Sequence, residues 1–322
     1  MGRRLGFALG ALFALAFLAV AYVTAGLFLA HRQIRNPEPE LPPADAILAF
    51  DPTSDLPVSL SWLNTASQTM PRSAVLEPSL DPTPKAPYTM GHTAFVLEWP
   101  DGRILLIDAG MDRDAARSFG KPLEFLAGAE PISPLGSVAE KLGASLSRVQ
   151  AIAFTHEHAD HTQGVIALCS LRTKPVRLIQ NRLQLEESNY TTREAKKQIA
   201  EAPCLEREIA EGGPLFAVRG FPGIAFFAAA GHTPGSQVFV AHVRGSAGVR
   251  TYLFTGDVVN QIDGVRANIP KPRLYSMVMV PEAPGRLDAL RRLLAELERD
   301  HGAALLVSHD QLSLEASGVR GE

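Results

Sequence analysis

Thr155-His156-Glu157-His158-Ala159-Asp160-His161 decides the reading of this chain. Three imidazoles and a carboxylate fall between positions 156 and 161, directly after the apolar run Val149 to Phe154. That density does not suit a packed core, where every buried polar group needs a partner. It suits a divalent metal, because imidazole nitrogen and carboxylate oxygen are ordinary zinc ligands. If a strand ends near Thr155, alternation sends His156 and His158 to one side, and Asp160 and His161 turn in behind them. One tight loop then serves two neighbouring ions. The alternative is a solvated His-rich loop with incidental metal affinity.

Three later motifs point the same way. Gly231-His232-Thr233-Pro234-Gly235-Ser236 follows a hydrophobic run. Phe254-Thr255-Gly256-Asp257 ends another, and Ser308-His309-Asp310 ends a third, Ala303 to Val307. Each puts a His or Asp at the C-terminal edge of an expected strand, where a sheet protein gathers ligands into one cleft.

These motifs, in this order, resemble the metallo-β-lactamase-fold hydrolase superfamily over roughly Val58 to Asp310. The resemblance implies a four-layer αβ/βα sandwich of two mixed β-sheets flanked by helices. It also implies two Zn2+ per chain. His156, His158 and His232 would hold one zinc; Asp160, His161 and His309 would hold the second; Asp257 would bridge them. Asp108, in Leu106-Ile107-Asp108-Ala109-Gly110, stands where the family has an acidic residue that orients a ligand histidine, a role expected because ligating imidazoles donate their other N–H to a carboxylate or carbonyl. The implied chemistry is attack by a metal-bridging hydroxide on an ester, lactone or thioester, with Asp160 and Asp257 as the catalytic carboxylates and Asp257 relaying a proton to the leaving group. Phosphodiester hydrolysis uses the same metals and is the alternative. A non-catalytic metal-binding scaffold is the rival from another class.

Departures within the superfamily narrow this. True β-lactamases of the fold commonly use a Cys ligand where this chain has Asp257. Diiron relatives carry an acidic residue where it has His158, which favours zinc. Lactonase-type members match best in motif. They carry a Tyr three residues after the bridging Asp, whereas this chain has Asn260, with Tyr275 or Tyr190 as candidates to replace it.

The chain has 322 residues, 46% hydrophobic and 20% charged, with a net charge of −3. It can bury a full core, and it carries no basic footprint for nucleic acid. Cys169 and Cys204 are too few for a disulfide scaffold. They read as buried thiols, with a disulfide between them open if the domain is exported.

Leu5 to Ala30 is one apolar run without charge, flanked by Arg3 and Arg4 before and Arg32 and Arg35 after. At about 1.5 Å per residue it is long enough for a hydrocarbon core of about 30 Å. A cleaved signal peptide would have an apolar region of about 7–15 residues. An uncleaved single-pass membrane anchor is the expectation, with the catalytic domain periplasmic or extracellular. The Gly2, Gly6, Gly10 spacing could let helices approach closely. The expected organisation is therefore an anchor over 1–35, a Pro-rich linker over 36–57 acting as an extended spacer, and a hydrolase domain over 58–322.

Within that domain, strands are expected at Val58 to Leu63, Thr93 to Trp99, Ile104 to Ile107 and Val176 to Gln180. Gly110 to Gly128 reads as loop and irregular helix. Asn181 to Pro214 is charged and helix-favouring, either a solvated excursion or a lid with Tyr190 in the pocket. Val258 to Val280 reads as a long loop. Leu287, Leu290, Leu293, Leu294 and Leu297 recur at helical spacing, so Pro284 to Glu298 is an amphipathic helix. His31, His242 and His301 read as structural or solvated; His92 opens a strand in Gly91-His92-Thr93, where it could approach the cleft, and a structural role is the expectation.

Overall fold

The computed structural model describes residues 2–49 and 54–321, with side chains from residue 12. Arg3 and Arg4, the side chains that begin the apolar run, and Pro52 of the linker lie outside what is described, as do any contacts of the Gly2, Gly6, Gly10 face.

Strict alternation along the strands builds the layers. Leu105 and Ile107 point to one face of their strand, and Ile104 and Leu106 to the other. Phe239, Ala241 and Val243 likewise oppose Val238 and Val240. The first sheet has eight strands among the described residues. Along it run Arg320–Gly321, Ser59–Pro71, Pro87–Glu98, Ile104–Ile107, Val149–Ala153, Val176–Gln180 and Leu205–Ile209, with Ser133–Pro134 pairing off this path. The second runs Ala304–Leu306, Gly248–Phe254, Gln237–Gly245, Ile224–Ala228 and Leu215–Ala217. Both sheets mix parallel and antiparallel pairs.

The inner faces meet in a core of Trp62, Phe95, Leu105, Phe226, Phe239 and Phe254. The outer face of the first sheet is covered by the helices Val138–Leu142, Gly164–Ser170 and Arg193–Glu201. The outer face of the second is covered by Pro284–Arg299, whose Leu287, Leu290, Leu294 and Leu297 are buried. This is the expected αβ/βα sandwich.

Several segments differ from expectation. Gly110 to Gly128 contains a regular helix, Arg113–Leu126, because Asp112 caps it by accepting from Asp114 N and Ala115 N. The excursion Asn181 to Pro214 holds two helices, Arg182–Glu186 and Arg193–Glu201, and then an edge strand, Leu205–Ile209. That strand hides in the sequence because Glu206, Arg207 and Glu208 charge it, as exposed edges require. Val258 to Val280 holds the helix Asp263–Arg266 and a π-helical turn, Tyr275–Met279.

Cys169 and Cys204 form a disulfide, with S–S 2.07 Å, rather than the two buried thiols expected. It ties the end of the helix Gly164–Ser170 to the start of the edge strand Leu205–Ile209. The linker is not a free spacer either. Ala44–Leu48 is helical, Ile47 packs under the second sheet, and Leu56 is buried.

One helix, Gly2–Arg35, is long and apolar enough to cross a membrane over Leu12–Arg35. Its end packs on the domain, with Ala30 and Ile34 buried.

Candidate metal centre

The strands deliver the motif residues to one edge of the sandwich. Val149–Ala153 leads to His156 and His158, Ile104–Ile107 to Asp108, Ile224–Ala228 to His232, Gly248–Phe254 to Asp257, and Ala304–Leu306 to His309. All are buried. Two glycines permit this crowding. Gly256 adopts φ +49° with its α-carbon against Thr155, and a Cβ on Gly164 would stand 2.1 Å from the Ala109 carbonyl oxygen.

The ring nitrogens converge in two sets. His158 Nδ1 lies 3.1 Å from His156 Nε2 and 3.1 Å from His232 Nε2. His161 Nε2 lies 3.1 Å from His309 Nε2, and Asp160 Oδ2 is 3.8 Å and 3.5 Å from those two nitrogens. Asp257 spans the sets. Its Oδ2 is 3.4 Å from His232 Nε2, and its Oδ1 is 3.1 Å from His309 Nε2 and 3.5 Å from His161 Nε2.

Whether these contacts are hydrogen bonds depends on the protons, and the outer partners place them. His309 Nδ1 donates to the Gly91 carbonyl at 2.6 Å. His161 Nδ1 donates to Asp108 at 2.9 Å, and His232 Nδ1 to Glu282 at 2.6 Å. Thr191 gives its hydroxyl proton to Asn189, so its oxygen accepts from His158 Nε2 at 2.9 Å. Thr155 gives its proton to Asp108, so its oxygen accepts from His156 Nδ1. A neutral imidazole carries one N–H, and here it points outward. The inner nitrogens face one another with lone pairs, and Asp257 Oδ1 has no hydrogen-bond partner. Converging lone pairs and an unpartnered buried carboxylate oxygen fit a cation, and the donor types fit zinc.

The electrostatics agree. Burial pushes the His156 imidazole far below its usual range and takes His158 down to about 3. Burial would also lower His161 and His309, but Asp108 and Asp160 hold the first well above the usual imidazole range, and Asp257 raises the second. Burial alone would raise the Asp257 carboxyl; His309 and His156 outweigh it and hold it well below the usual range. His156 and His158 thus resist charging while the buried carboxylates draw His161 and His309 toward it, and a divalent ion between them would take the place of that proton charge.

The sequence motifs missed four neighbours. His92, expected to be structural, is buried with Nδ1 3.2 Å from Asp160 Oδ2. It forms with Asp160 and His309 a further group able to hold a metal ion. Lys271 and Glu282 make a buried ion pair at 2.8 Å behind His232. Lys271 Nζ also donates to the Asp257 carbonyl at 2.6 Å. Thr191, not Tyr190, is the excursion residue that meets the site; the Tyr190 hydroxyl donates to the Val278 carbonyl at 3.0 Å. Asn260 is buried and its carbonyl accepts from Tyr88. Asp310 caps the last helix, Gln311–Ala316, and accepts from Ile262 N. His31 and His242 are structural as expected, bonding Met277 O and Thr251 Oγ1.

The sequence model of the metallo-beta-lactamase superfamily matches residues 87–309, from the strand that carries His92 to His309 itself. The chain belongs to the metallo-beta-lactamase superfamily. Its site is accordingly that of a metal-dependent hydrolase. Solved members share the fold at low identity. An N-acyl homoserine lactone hydrolase, solved with N-hexanoyl-L-homoserine at its catalytic metal centre, is 19% identical with TM-score 0.59, covering 81% of this chain and 96% of its own. A probable metal-dependent hydrolase from Staphylococcus aureus is 13% identical with TM-score 0.55, covering 80% and 91%. A dizinc quorum-quenching lactonase is 14% identical with TM-score 0.51, covering 80% and 92%. A search of curated proteins by sequence gives no match.

Proposed function

We propose that this chain is a membrane-anchored, dinuclear zinc hydrolase that cleaves an ester, lactone or thioester. The observation that carries the reading is Asp257, which turns one carboxylate oxygen to each of two nitrogen sets. His156, His158 and His232 would hold one ion, and Asp160, His161 and His309 the other, with Asp257 between them. Two such ions supply Lewis acidity and an activated water when bound.

The protein's own groups do the rest. Asp108, Glu282, Thr155, Thr191 and the Gly91 carbonyl fix each imidazole in one tautomer and one orientation. Asp160 and Asp257 hold negative charge in a buried site, and Asp257 is placed to pass a proton to the departing oxygen or sulfur. The lactonase members of the fold support the ester and lactone classes as first substrates to try.

We assign residues 1–35 as the anchor, 36–57 as the connector and 58–322 as the hydrolase domain, facing the periplasm or the cell exterior. The Cys169–Cys204 disulfide supports that side, since such bonds persist in oxidising compartments. The test is a hydrolysis panel on the full chain in detergent, comparing lactones, aryl esters and thioesters with chromogenic phosphodiesters. Turnover of the acyl substrates is expected. Turnover of phosphodiesters alone would overturn the assignment.

A further inference from the structure

The rim of the metal centre is bonded to the end of the apolar helix. His31 Nε2 donates to the Met277 carbonyl at 3.0 Å. Met277 belongs to the turn Tyr275–Met279. The next carbonyl of that turn, Val278, accepts from Tyr190, and Thr191 beside it accepts from the metal-site His158. Half-buried Tyr275, in the same turn, has its ring centre 5.8 Å from the Lys271 ammonium, which donates to the Asp257 carbonyl.

This turn also carries apolar side chains into the open. Leu274 is 73% exposed, Met277 49%, Val278 43% and Met279 46%. Such a run on a surface needs an occupant. Chain continuity names one. The apolar stretch of the helix ends at Ala30, so His31 stands at the boundary between hydrocarbon and headgroups, and Arg35 is about 6 Å further along the axis. Met277, bonded to His31, is held at that level. A cavity of about 760 Å³ beside the turn has His31, Arg35 and Arg273 in its wall together with Glu77 and the paired Glu282, and Arg35 and Arg273 are the cations placed to meet phosphate headgroups.

We propose that the Leu274–Met279 turn rests in the interfacial layer of the bilayer its own helix spans, and that the site takes a long-chain acyl ester or lactone dissolved in that bilayer. This rests on the reading of the chain as a membrane-anchored hydrolase. The bond chemistry is unchanged: the oxygen of water bonds to the acyl carbon, the acyl C–O bond breaks, and the alkoxide takes a proton. The membrane dictates only the direction from which the substrate arrives.

The experiment uses the full chain in nanodiscs of phosphatidylcholine and phosphatidylglycerol. Both native cysteines are paired, so Val278→Cys gives a single thiol for an environment-sensitive dye. Leu171→Cys is the control, exposed just past the C-terminal end of the helix Gly164–Ser170. Headgroup-level nitroxide lipids should quench the dye at 278 at least threefold more than at 171. Equal quenching, or burial of position 278 against a second copy, overturns the docking. In parallel, Leu274→Glu with Met277→Glu should cut turnover of a vesicle-dissolved long-chain lactone about tenfold and leave a short water-soluble ester unchanged. Equal effects on both substrates overturn the substrate class. Quenching at 278 with no turnover of either substrate by the unaltered chain contradicts the hydrolase reading and the substrate class, while the docking stands.

Discussion

The Lys271 ammonium donates to the backbone carbonyl of Asp257 at 2.6 Å, tying a buried cation to the residue that spans both nitrogen sets. The same ammonium pairs with Glu282, which accepts from His232 Nδ1. Burial would raise the Glu282 carboxyl, but Lys271 outweighs it and holds it at about 2.

Lys271→Met therefore leaves Glu282 charged and buried without its cation, held only by the hydrogen bonds from His232 and Ser276. Breaking a buried pair this way costs about 3–5 kcal/mol, and losing the support of a ligating imidazole costs about 10–100-fold in metal affinity. Urea unfolding and competitive zinc titration of the variant check both figures. Unchanged values in both would contradict the role.

The disulfide closes a loop of 35 residues. Loop-closure entropy gives about 3–4 kcal/mol for that length. Reduction, or Cys169→Ala with Cys204→Ala, should lower the unfolding midpoint accordingly. Equal midpoints with and without reductant would show that the edge strand Leu205–Ile209 holds without it.

Acid should weaken a second tie. Arg72 bonds Asp81 at 2.9 Å and Asp263 at 2.9 Å, and its hydrogen bonds hold the Asp81 carboxyl below the usual range. A lowered folded-state pKa contributes stability above the ordinary carboxylate value of about 4, and that contribution fades as pH falls through the folded-state value. The Tm gap between the native chain and Arg72→Leu should be widest near neutrality and shrink below about pH 4. A gap independent of pH would refute the linkage.

Gly164 faces the Ala109 carbonyl so closely that an added Cβ would overlap it at 2.1 Å. Gly164→Ala should cost about 1–3 kcal/mol and loosen the loop that carries Asp160 and His161. Thermal unfolding and zinc retention read the two effects separately.

The sequence showed the site better than its surroundings, and the reason is physical. His156, His158, Asp160, His161, His232, Asp257 and His309 stand in dense motifs at strand ends, and all seven reach one cluster. Lys271, Glu282 and Thr191 are single polar residues in irregular segments, brought to the site only by folding. The sandwich was legible through the resemblance that these motifs carry, and in the structure Ile104 to Ile107 and Gln237 to Val243 alternate between its two buried faces. The strand Leu205–Ile209 was not, because its charged residues serve an exposed edge. Cys169 and Cys204 pair through tertiary packing, which spacing alone does not reveal.

Asp257 is proposed to stand between two zinc ions that the two nitrogen sets would hold. The most direct test is metal content by mass spectrometry of the full chain beside Asp257→Ala, with lactone turnover measured on the same samples. The account predicts about two zinc per chain and turnover in the native protein, with zinc and turnover both falling in the variant. Fewer than one metal per native chain, or an Asp257→Ala variant with full metal and full turnover, would contradict it.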